Sequence, residues 1–154
     1  MHDCLFREWT NAEPGRVPSF TNEPYQEIIV SIQQIAGRFM ELCKQGKHFE
    51  VMRTMYAPEM VSVEGDGKET VGKEAVIRKS EVWQGNNAIQ SQDLRGPFFC
   101  GDASADSGRF AVYTSVGFTP KAGGERLTHE EVGLYTVKND MITREEFFYI
   151  GPFI

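Results

Sequence analysis

The sequence predicts an α+β domain in which helices come first and a run of strands follows. Two patterns predict it. Apolar residues recur at spacings of three and four between Ile28 and Leu42, then at every second position after about residue 88. Helical and strand segments do not alternate, so an antiparallel meander is expected rather than a parallel βαβ sheet. At 154 residues the chain has the length of one domain. Residues 1–21 carry Pro14, Gly15 and Pro18 without periodicity and read as an arm; residues 22–154 read as one domain.

The first helix is expected over residues 24–45. Asn22 can cap it, Pro24 suits its first turn, and Glu23 and Glu27 suit its positive end. Ile28, Ile32, Ile35, Phe39 and Leu42 form one apolar stripe, and Gly46 ends the helix. A shorter helix fits residues 48–55, with Phe49, Met52 and Met55 on one side and Ala57-Pro58 as its stop. Residues 60–64 read as a strand and Gly65-Asp66-Gly67 as its turn. A third helix follows over 73–84, with Val76, Ser80 and Trp83 in line, until Gly85-Asn86-Asn87 breaks it. Strands are then expected over 88–99, where Gly96-Pro97 marks a bulge or an edge, and over 109–119. Segments 127–137 and 141–150 make a hairpin on the Asn139-Asp140 turn, where both residues tolerate positive φ. One sheet face must hold the helices. The other is expected to meet a second copy of the chain, because both faces carry apolar residues.

The composition narrows the function. Sixteen basic against 22 acidic residues give a net charge of −6, and no block of like charge stands out. Nucleic acid and anionic membrane surfaces are therefore not expected partners. No apolar run approaches the ~20 residues of a membrane span, and no secretory leader is expected at the start. Cys4, Cys43 and Cys100 are odd in number and widely spaced, which reads as free thiols in the cytoplasm rather than a disulfide framework or zinc site. No metal motif and no glycine-rich phosphate loop occurs, so no cofactor is expected. Eleven Phe, five Tyr and two Trp give a large core with room for an aromatic-lined pocket. The expected ligand is a small apolar molecule in a hollow between sheet and helix.

Three segments carry a resemblance. Glu41-Leu-Cys-Lys-Gln-Gly46, Met55-Tyr-Ala-Pro-Glu-Met-Val-Ser-Val-Glu64 and Val71-Gly-Lys-Glu-Ala-Val76 resemble the nuclear transport factor 2-like superfamily. The ending, Glu131-Val-Gly-Leu-Tyr-Thr-Val137 through Arg144-Glu-Glu-Phe-Phe-Tyr149, is similar to its polyketide-cyclase-like (SnoaL-like) branch. The resemblance implies a cystatin-like α+β barrel: a cone-shaped, strongly curved antiparallel sheet around the long first helix. It does not specify an activity, since the superfamily hosts isomerases, cyclases, dehydratases and domains without catalysis.

Similarity to the ketosteroid isomerases places Glu64 where their carboxylate base stands. Phe39 takes the place of their oxyanion tyrosine, and Val132 or Gly133 that of their second donor, so neither side-chain donor is retained. Similarity to the cyclases points to a carboxylate on the hairpin, with His129 and Glu131 as candidates. A plain two-residue turn would pair Glu131 with Phe148, Gly133 with Glu146 and Tyr135 with Arg144. One face then collects His129, Glu131, Tyr135, Arg144 and Glu146, and the other Thr128, Glu130, Thr136, Glu145, Phe147 and Tyr149. Register decides which lines the cavity; the cyclase resemblance favours the first and the isomerase resemblance the second. The expected catalytic residues are Glu64, His129 and Glu131, with Phe39, Tyr56, Trp83, Tyr135, Phe148 and Tyr149 around the pocket. Two functions are expected to compete: a cofactor-independent acid/base enzyme (isomerase, cyclase or dehydratase) and a non-catalytic ligand-binding or dimerisation module.

Overall fold

The computed structural model describes residues 30–150. The expected arm, and the expected helix start at Asn22 and Pro24, lie outside them. Helix α1 spans Ile32–Lys44. It does not run back to residue 24, because Ser31 is extended and caps it: Ser31 accepts from the Gln34 amide while the Gln34 side chain returns to the Ser31 amide. At the other end Gly46 takes φ 73°, and the Gly46 and Lys47 amides close back on Cys43 and Leu42. The buried stripe of α1 comprises Ile32, Ile35, Ala36, Phe39, Met40, Leu42 and Cys43.

Helix α2 covers His48–Met55 and runs directly into strand β1, Tyr56–Val63. Ala57-Pro58 thus sits inside a strand rather than ending an element. Proline is tolerated there because the pairing of β1 is irregular between Tyr56 and Val61, so no ladder bond requires its missing N–H. The turn at Gly65–Gly67 leads to a short strand, β2 (Glu69–Val71), which the sequence patterns did not show. Helix α3, Lys73–Asn86, continues through Gly85. Strands β3 (Asn87–Cys100), β4 (Gly108–Pro120), β5 (Leu127–Lys138) and β6 (Met141–Ile150) follow, to the last described residue.

The architecture is α+β: the described residues form three helices on a six-stranded sheet of order β2-β1-β6-β5-β4-β3. Strands β3 to β6 form the expected antiparallel meander. The sheet as a whole is mixed, because β1 pairs parallel to β6. Among the described residues it is also open, with β2 and β3 as its edges, so no closed barrel forms there. Among the described residues, no helix is long and apolar enough to cross a membrane.

The core sits between α1 and the inner sheet face. Phe39 packs edge-on to Phe110 at 5.5 Å and against Tyr135 at 4.5 Å between ring centroids. Val112, Val137, Ile142 and Met60 extend this cluster.

The hairpin register differs from the plain two-residue pairing. Asn139 and Asp140 make the turn with φ 50° and 60°. Val137 then faces Ile142 but Thr136 faces Arg144, leaving Thr143 as an extra residue on β6. Every pair beyond it moves by one: Glu131 faces Tyr149, Gly133 faces Phe147 and Tyr135 faces Glu145. Ile142 and Glu145 can therefore both point into the core. Neither predicted face survives intact. The inner face combines His129, Glu131 and Tyr135 from one with Glu145, Phe147 and Tyr149 from the other, while Arg144 and Glu146 turn outward and pair with each other.

Candidate functional site

The ends of three strands bring the polar groups together. On β1, Ser62 and Glu64 follow Met60 on the inner face, and Ser62 lies opposite Glu145 of β6. Both Ser62 and Glu145 are buried, at 0% and 3% exposure. The phenol of Tyr56 and the hydroxyl of Ser62 hydrogen-bond the Glu145 carboxylate. Desolvation by burial nevertheless raises its pKa above that of an ordinary glutamate. Burial, followed by the proximity of Glu145, holds the Tyr56 phenol well above the usual tyrosine range.

Helix α3 supplies the counter-charge. Its inward face carries Val76, Lys79 and Trp83, at spacings of three and four. Lys79 Nζ donates to Ser62 Oγ at 2.7 Å and to Glu64. The second oxygen of Glu64 accepts from the Tyr149 phenol. That phenol is raised above its ordinary pKa, by desolvation first and by Glu64 second. The Tyr149 ring lies flat over Gly65, where a Cβ would come within 2.6 Å of it, so the residue after Glu64 has to be glycine for the ring to fit.

On β5, His129 Nε2 meets Glu131 Oε2 at 3.0 Å, with both side chains about one-fifth exposed. The His129 ring stands edge-on to Tyr149 at 4.7 Å. The hydrogen bond to Glu131 raises the His129 pKa; partial burial opposes that rise, and Glu64 adds to it. Trp83 and Phe118 pack edge-on at 5.3 Å.

The structure thus gathers Glu64, His129 and Glu131 around Tyr149. Phe39, Tyr56 and Tyr135 lie deeper, in the core. Phe148 does not belong to this group: the extra residue at Thr143 turns it to the outer face, where it is 55% exposed. Sequence reasoning did not single out Lys79, and it gave Glu145 no role. Glu145 was hidden by the register slip, and Lys79 by the even spread of charge along α3. Cys43 is buried in the core with its thiol pushed up to about 12, and His48 bonds Gln92. Among the described residues, no three His, Cys, Asp or Glu side chains gather in a set that could hold a metal ion. An open concavity of about 470 Å³ near the β5–β6 turn, lined by Asp106, Arg109, Thr136 and Lys138 among others, lies away from these groups and holds a single carboxylate.

The SnoaL-like domain model matches residues 30–149, and the chain belongs to that family. A protein of Mesorhizobium loti, described as a candidate SnoaL-like polyketide cyclase and bracketed as a carbohydrate phosphatase, is 41% identical, with 78% of this chain and 100% of that one covered at a TM-score of 0.70. A ketosteroid isomerase-like protein of Erwinia carotovora is 17% identical, covering 83% of this chain and 100% of that one at 0.61. A candidate polyketide cyclase of Pseudomonas putida is 12% identical, covering 79% and 92% at 0.58. The last two likenesses are of fold. No protein of curated function matches the chain.

Proposed function

We propose that the chain binds a small, largely apolar carbonyl or hydroxyl compound beside Tyr149. There it moves a proton on that compound without a cofactor, in an isomerisation, cyclisation or dehydration. The observation that carries this reading is the convergence of His129, Glu131 and Glu64 on one tyrosine at a partly exposed place. Glu131 orients the imidazole and favours its protonated form, which suits His129 to exchange a proton near neutral pH. The kinship of the Mesorhizobium loti protein supports the substrate class.

The test is a thermal-shift screen of keto- and hydroxy-lipids, steroids and polyketide fragments. Hits are then followed by proton NMR in D2O for exchange next to the carbonyl. Glu131→Gln and Glu64→Gln are expected to stay folded and to lose turnover, Glu131→Gln by about 10²-fold or more. Full activity in both variants overturns the acid/base assignment.

The second reading is a non-catalytic ligand-binding or dimerisation module. The exposed apolar side chains Phe98, Phe148 and Ile150 on the outer face favour it. Binding without any exchange in the same assay selects it. In either case the reading includes a homodimer through the outer sheet face, working in the cytoplasm.

A further inference from the structure

We propose that Lys79 is the group that holds the substrate oxygen as it gains negative charge, a role that rests on the reading of the site given above. An ammonium has three N–H donors. Two are engaged, by Ser62 Oγ at 2.7 Å and by Glu64. The third has no partner among the described residues. Lys79 is also anchored rather than free to swing, because Ser62 is fully buried between β6 and α3. Its side chain remains 31% exposed, so the remaining N–H is within reach of a ligand.

The charge balance supports the same role. Three carboxylates, Glu64, Glu131 and Glu145, face this part of the sheet. Lys79 is the only lysine or arginine bonded within the group among the described residues. An oxygen that turns anionic there would be repelled by every other charged neighbour except protonated His129. A positioned cation acts where charge develops, and loss of such a donor costs catalysis heavily.

One helical turn on from Lys79, Trp83 with its partner Phe118 offers an apolar wall. The substrate class this fits is a compact apolar body with one oxygen that ionises in the reaction: a ketone passing through its enolate, or a phenol. In the enolate step the C–H bond next to the carbonyl breaks and its proton passes to the base. Its electron pair forms the new C=C bond, and the carbonyl pair becomes the oxyanion held by Lys79.

The experiment uses para-nitrophenol, whose ionised form absorbs visibly apart from the neutral one. The native protein is expected to bind the phenolate in preference, lowering the apparent pKa of the bound phenol by about one unit, a tenfold preference. Lys79→Met is expected to abolish that preference while still binding the neutral phenol. Ser62→Ala, which keeps the charge but loosens its anchor, gives an intermediate shift and serves if Lys79→Met fails to fold. An equal shift in the native protein and both variants overturns the role of Lys79 and leaves the site intact. No binding by the native protein removes the ligand site and this role with it.

Discussion

At the residue scale the most informative side chain is Glu145. It is buried, held by Tyr56 and Ser62, and more reluctant to ionise than an ordinary glutamate. A carboxyl group whose folded pKa lies above its unfolded value favours folding most when both states are protonated. That contribution is lost as pH rises through the folded value, because the folded protein must then bury a charge. Glu145→Gln keeps the shape and can still accept from Tyr56, but never ionises. Its melting temperature is therefore expected to exceed that of the native protein at pH values above the raised folded value, and to match it at acid pH, where both states are protonated. A variant that matches native at acid pH but is less stable once Glu145 ionises would show that the charge of Glu145, paired through Ser62 with Lys79, outweighs its desolvation. Glu64, His129 and Glu131 could be singled out from sequence because the resemblance to the isomerases and cyclases points to a place in an element, and that place is a local property of the chain. Glu145 and Lys79 could not, because their meaning depends on which strand or helix faces them.

At the element scale, the exact ends of elements and their register were the least legible features. Residues 141–150 and the Asn139-Asp140 turn were readable from alternation and turn chemistry. The extra residue at Thr143 was not, because it leaves no mark on composition and yet moves every later side chain to the other face. The start of α1 shows the opposite case. Ser31 and Gln34 have the spacing of a capping box, a signal present in the sequence but masked by the apolar stripe that runs on to Ile28. Ser31→Ala removes the side-chain acceptor for the Gln34 amide and is expected to lower stability by about 1 kcal/mol in chemical denaturation, with the unfolding slope unchanged. No loss would mean that the contacts of the Ile32 and Gln33 amides with the Ala105 and Ala103 carbonyls suffice to hold the helix start.

At the scale of the whole molecule the open sheet has two kinds of unfinished surface. Its edges are managed locally: β2 is three residues long, and β3 carries irregular pairing on either side of the stretch from Ser91 to Arg95. Its outer face is not managed in this way. Phe98, Phe148 and Ile150 stand exposed there, on strands β3 and β6. Polar groups on that face are paired, Arg144 with Glu69 and Glu146, and Tyr113 with Glu130. Such satisfied polar groups beside uncovered apolar ones suit burial against a second surface better than contact with water. The order of elements carried the fold class, but this face could be judged only after Thr143 had turned Phe148 outward. In sedimentation velocity the native chain is expected to run as a dimer, and Phe148→Glu, which would place two like charges in a face of roughly 800 Å² per partner, as a monomer with its fold retained. A native chain that sediments as a monomer at micromolar concentration would assign those three side chains to another partner. The site around Tyr149, on the opposite face, would then stand complete in a single copy.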